Sequence, residues 1–203
     1  MNAFWQKRSM RERALLIIGA AFVLIALWIK ALMPFFSYNQ NQQQQQQFQQ
    51  ILLRGKGDGK FAEIVNKEIS LLPPIDNLRM INNEKYLFAK QSFDQWSLII
   101  LKQKQDAEMI DLINKFNENE EILASDYSNT LYFEFTGEQR NYYLSKLTHF
   151  DLRPKKFPVS TMAQTLLGRI ECCIYNLENK YLVTCHSSYE DYFKDRLQDS
   201  INL

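Results

Sequence analysis

Histidine is nearly missing from this chain: His149 and His186 are the only two among 203 residues. That scarcity removes most histidine-based catalysis and histidine zinc sites at once. His149 falls near the end of an expected helix, where capping accounts for it. His186 adjoins Cys185, but neighbours on a strand point to opposite faces and make a poor nucleophile–base pair. No G-x-S-x-G or H-E-x-x-H set occurs, and the carboxylates are scattered without a pair that singles out an acid and a base. Net charge is also lacking, with 24 Lys and Arg against 23 Asp and Glu, a balance of +1. A nucleic-acid partner is not expected from so neutral a chain. Glycine is sparse at six residues, and three of them cluster in "GKGDGK". That stretch lacks the Ser or Thr of a phosphate-binding loop, because Phe61 follows Lys60, so it reads as a hinge.

What the chain has in quantity is an apolar run near its start. Ala14–Ile29 carries no charge, and the run continues past Lys30 to Met33, long enough for a bilayer-spanning helix. No small-residue cleavage site follows, which favours a retained anchor over a removed signal. Lys7, Arg8, Arg11 and Arg13, against Glu12 alone, place the N-terminus on the cytoplasmic side. Gly19, Ala20 and Ala21 form a small-residue patch that either admits a second helix or faces lipid.

The expected organisation is a basic leader (1–13), a transmembrane anchor (14–36), a Gln-rich stalk with a Gly hinge (37–60), a helical connector (61–95) and a folded domain (96–203). Phe48, Ile51 and Leu52 sit at helical spacing, so the stalk reads either as helix to about Leu53 or as a solvated spacer. "FAEIVNKEISLL" places Phe61, Ile64, Val65, Ile69 and Leu72 on one helical face, and Pro73-Pro74 stops it. A first short strand is expected in "NEKYLFAKQSF", then one in "WSLIILKQ". Asp106 starts a helix with Met109, Ile110, Ile113 and Phe116 as its stripe. Two strands follow in "EEILASDYS" and "NTLYFEFT", then a helix over Glu138–Phe150 with Tyr143, Leu147 and Phe150 inward. "FPVSTMAQTLL" is a further strand, "GRIECCIYN" and "NKYLVTCHS" form a hairpin, and Tyr189–Ile201 closes as helix. From residue 96 this order predicts an α+β, ferredoxin-like (split β-α-β) domain with an extra hairpin and a C-terminal helix.

The odd set of three cysteines, Cys172, Cys173 and Cys185, sits in that hairpin. With Asn176 paired to Asn179, Cys172 faces Val183 and Cys185 is only its diagonal neighbour, too far for an unstrained bridge. Buried free thiols are the reading, with a Cys172–Cys185 disulfide as the alternative. Zinc held by these two and His186 has unsuitable spacing, and no metal or cofactor is called for.

The opening "FWQKRSMRERALLIIGAAFVLIALWIKALMP" resembles the start of the M proteins of bacterial type II secretion systems. Trp5, Arg11, Glu12, Arg13 and Pro34 occupy the positions of that family's motif. The resemblance implies a non-enzymatic, single-pass inner-membrane scaffold with a periplasmic domain. It further implies a homodimer, an L-type bitopic partner and, through that partner, the secretion ATPase. Trp5, Lys7, Arg8, Arg11, Glu12 and Arg13 would then face the cytoplasmic partner or the lipid bilayer. The alternatives are an anchored periplasmic sensor or ligand-binding domain, a pilus alignment protein, or a component of another secretion machine.

Overall fold

The computed structural model describes residues 48–101 and 106–202. The basic leader, the apolar run at 14–36 and most of the glutamine tract lie outside the described residues. Among the described residues no helix is long and apolar enough to cross a membrane.

Among the described residues nine strands form two antiparallel sheets. The first contains β1 (Gln49–Arg54), β2 (Met80–Asn82), β3 (Tyr86–Lys90), β4 (Gln95–Ile100) and β5 (Leu123–Asp126), in the order β2-β3-β4-β1-β5. The second contains β6 (Thr130–Thr136), β7 (Thr161–Leu167), β8 (Ile170–Asn176) and β9 (Lys180–His186), in the order β6-β9-β8-β7. Helices α1 (Gly59–Ile69) and α2 (Asp106–Asn117) serve the first sheet, α3 (Arg140–Ser145) and α4 (Glu190–Asn202) the second. Each sheet has one face against helices and one against the other sheet. An isolated bridge between Arg79 and Thr161 joins the two at one margin.

The expected helical stalk is a strand over its described part. Gln49–Arg54 is a central strand, paired with β4 through Gln49–Ile100 and with β5 through Ile51–Asp126. Its alternation decides the matter: Ile51 and Leu53 are fully buried among α1 and α2, while Gln50 and Leu52 point to the opposite face by the two-residue period. Phe48, Ile51 and Leu52 fit a helix equally well by spacing, but pairing on both sides wins.

The next helix is α1, which starts two residues before and ends three residues before the expected Phe61–Leu72. Asp58 caps it, its side chain accepting from the Phe61 amide at 3.1 Å. Ser70 ends it in a left-handed conformation at φ 57°, before Pro73-Pro74. Phe61, Val65 and Ile69 are buried, whereas Leu72 lies beyond the helix and is 67% exposed. In α2 the inward stripe is Met109, Leu112 and Phe116, and Ile110 points to solvent. The expected Glu138–Phe150 helix shrinks to Arg140–Ser145, with Leu144 as its buried residue. His149 therefore lies outside it and caps nothing there.

The ferredoxin-like domain expected over 96–203 is not what forms. Residues 96–203 are divided between the sheets: β4 and β5 complete the first, while β6 to β9 build the second. The segment 61–95, expected as a helical connector with one short strand, gives α1 and also β2 and β3 of the first sheet. Propensity located most strands correctly, but partner choice depends on contacts distant in sequence.

Among the described residues, apolar clusters lie on both faces of the first sheet. One holds α1 and α2 on the first sheet, around Phe61, Phe88, Trp96, Leu98 and Phe116. The other fills half of the space between sheets with Leu87, Ala89 and Ile99 from one side and Tyr132, Met162, Tyr175 and Leu182 from the other.

Candidate functional site

The other half of the inter-sheet space is polar. Strand parity sends Gln50 from β1, and Gln95 and Ser97 from β4, toward the second sheet. By the same parity Gln164, Cys173 and Thr184 come from β7, β8 and β9. Gln50, Gln95, Gln164, Cys173 and Thr184 line a cavity of about 530 Å³ whose wall also includes Tyr127, Glu171, His186 and Tyr189.

A hydrogen-bonded seam runs along its floor. Gln50 donates through Nε2 to Ser97 Oγ at 2.8 Å, and the Tyr175 hydroxyl donates to the same oxygen at 3.2 Å. Ser97 is fully buried, Tyr175 likewise, and Gln50 is 3% exposed. Gln95 donates to Gln91 Oε1 at 2.8 Å, and Gln91 reaches Cys173 Sγ at 3.9 Å. Gln50 Oε1 is buried and has no partner among the described residues. Buried polar groups are normally satisfied, so such an atom marks a place where something polar is accommodated.

Burial dominates the electrostatics of the seam. It pushes Tyr175 well above the ordinary tyrosine range, and the neighbouring Cys173 adds to the shift. Burial also raises the Cys173 thiol, against the opposing effect of Tyr175, Thr184 and Gln164 around it. Both groups stay protonated near neutrality, which suits a structural seam better than an acid–base centre.

The hairpin register differs from the expected one. Leu177 and Lys180 exchange backbone hydrogen bonds of 2.9 and 3.3 Å, so Glu178-Asn179 is a two-residue turn. Asn176 consequently pairs with Tyr181, and Cys172 lies directly opposite Cys185. All three thiols are free. A side-chain hydrogen bond joins Cys172 to Cys185, holding the first thiol above its usual range and drawing the second below it. His186 does not join them as a ligand. Its ring nitrogen accepts from the Ser188 amide at 3.2 Å and caps the short turn before α4. Among the described residues no group of three His, Cys, Asp or Glu is placed to hold a metal ion.

Of the residues singled out from sequence, Cys172 and Cys185 are brought together. Trp5, Lys7, Arg8, Arg11, Glu12, Arg13, Gly19, Ala20 and Ala21 lie outside the described residues. The seam residues Gln50, Gln91, Ser97 and Tyr175 escaped notice. Their signal was present: polar side chains at inward positions of otherwise apolar strands. Gln50 was hidden by its place at the end of a glutamine tract.

A model of the sarcosine oxidase gamma subunit family (SoxG) matches residues 54–202, most of the chain. The chain belongs to that family. Among solved structures, heterotetrameric sarcosine oxidase from Corynebacterium sp. U-96, in complex with pyrrole 2-carboxylate, matches with a TM-score of 0.68 at 17% identity, over 76% of this chain and 80% of that one. The glycine cleavage system aminomethyltransferase T from Bartonella henselae matches with a TM-score of 0.56 at 11% identity, over 75% of this chain and 44% of that one. At such identities these likenesses show a shared fold. No curated protein sequence matches the chain.

Membership of the gamma subunit family overturns the type II secretion reading. The M-family assignment, the scaffold function, the homodimer, the L-type partner and its ATPase fall with it. The inner-membrane location, the periplasmic domain and the lipid partner fall likewise, as do the sensor and pilus alternatives. The misleading signal was a basic leader before an apolar run, a pattern shared by many unrelated chains. The family match begins at Arg54, beyond it.

Proposed function

We propose that this gamma-family chain is a structural subunit of a heteromeric sarcosine-type oxidase, in which partner subunits carry out the oxidation. The family match over residues 54–202 carries this reading. The fold shared with a chain of heterotetrameric sarcosine oxidase supports it. The chemistry of the seam agrees, since the buried Cys173 and Tyr175 are held in their neutral forms. The expectation of a non-enzymatic chain thus narrows to a chain without its own turnover inside an enzyme complex.

Co-expression with the remaining oxidase subunits from the same genome tests this. The chain should co-purify with them in fixed stoichiometry, and sarcosine-dependent oxygen uptake should fall when it is omitted. Full turnover and intact assembly without it, or sarcosine oxidation by this chain alone, would overturn the proposal.

A further inference from the structure

The Cys172–Cys185 pair occupies a particular kind of site in the β8–β9 ladder. Antiparallel pairs alternate between hydrogen-bonded and non-hydrogen-bonded positions. Leu177 and Lys180 form a hydrogen-bonded pair, so counting back in the observed register makes Cys172–Cys185 a non-hydrogen-bonded one. At such positions the Cα atoms stand about 4.5 Å apart and the side chains approach most closely. That spacing falls inside the range spanned by disulfides. Cys173 is excluded from the pair by geometry: it lies on the opposite pleat, paired with Thr184 and contacted by Gln91. Cys172 and Cys185 are 4% and 5% exposed and share the helix-facing pleat of the second sheet with Ile174 and Val183, opposite the pleat that carries Cys173 toward the first sheet.

We propose that Cys172 and Cys185 are a redox-convertible pair, which a peroxide-class oxidant joins in a cross-strand disulfide while Cys173 remains a thiol. One sulfur attacks a peroxide oxygen, breaking the O–O bond to give a sulfenic acid and the first water. The second sulfur then displaces that hydroxyl, which leaves as the second water. Two S–H bonds are broken, one S–S bond forms, and hydrogen peroxide takes both electrons. The product ties the two central strands of the second sheet together at the end where β9 runs into α4.

Treating the full chain with dilute hydrogen peroxide, then denaturing it and counting thiols with a maleimide, gives the test. The count should fall from three to one, peptide mapping should find Cys172 linked to Cys185, and dithiothreitol should restore all three thiols. C173S should fall from two thiols to none by the same internal link. Survival of all three thiols in the native protein would overturn the proposal. So would a bridge through Cys173, a disulfide-linked dimer, or stepwise over-oxidation of a single sulfur.

Discussion

Phe61 stacks on Trp96 with ring centroids 4.9 Å apart, and through that contact α1 is fastened to the centre of the first sheet. Phe88 stacks on the other neighbourhood of the same indole at 5.4 Å, so Trp96 joins a helix and two strands. Both Phe61 and Trp96 are essentially without solvent exposure. Phe61→Ala should therefore cost about 3–5 kcal/mol, the usual penalty for truncating a buried aromatic. Urea unfolding should show a lowered midpoint with little change in slope. A loss under 1 kcal/mol would mean that α1 is not held by this stack.

Gly57 and Gly59 should respond oppositely to alanine, although only one residue separates them. Gly57 has φ +70°, and a Cβ there would lie 2.7 Å from Trp96 Cζ2. Alanine at that position meets both a left-handed backbone and the indole, and should cost about 1–2 kcal/mol from the backbone alone. Around Gly59, the first residue of α1, nothing lies within 4 Å. Gly59→Ala should instead stabilise by roughly 0.4–1 kcal/mol through the unfolded chain. Thermal melts of the two variants check the sign of each.

Ser97 is the shared acceptor of two buried donors, Gln50 Nε2 and the Tyr175 hydroxyl. Ser97→Ala leaves both without that partner and should cost about 1–3 kcal/mol. Tyr175→Phe in the same background removes one stranded donor, so the double variant should lose less than the sum of the singles. Simple additivity in a double-mutant cycle would show that the seam does not act as a unit.

The strands themselves were legible in the residues, and their company was not. "NTLYFEFT" announced β6 by alternation of Leu131, Phe133 and Phe135 with polar neighbours, and that face is buried. "WSLIILKQ" read as a buried strand because apolar residues run through it, which the two-sided burial of β4 explains. Gln49 and Gln50 misled because helix propensity is a weak prior that pairing with β4 and β5 overrides. The cysteine pair misled by one turn residue. Reading Asn176 against Asn179, rather than Leu177 against Lys180, shifted the register and turned direct partners into diagonal ones. The inward polar residues of the seam were visible strand by strand, but their meeting was not, since Ser97 and Tyr175 join across a gap of 78 residues.

Acid should weaken the contact between α2 and the first sheet. Glu108, on α2, accepts from Lys85 at 2.5 Å and from the Tyr86 hydroxyl at 2.9 Å. Burial pushes the Glu108 carboxyl up, but the hydrogen bonds from Lys85 and Tyr86 outweigh it and hold the group below the ordinary glutamate range. A carboxylate with a depressed folded value contributes stability above its unfolded value, and loses that contribution as pH falls through the folded one. The Lys85 side chain is 42% exposed, so screening limits the effect to on the order of 1 kcal/mol. Glu108→Gln should lower stability at pH 7 by about that amount and flatten its decline below about pH 5. Unfolding free energies measured for both proteins from neutral pH into acid would converge if this ion pair is responsible. Parallel curves would assign the acid sensitivity to other carboxylates.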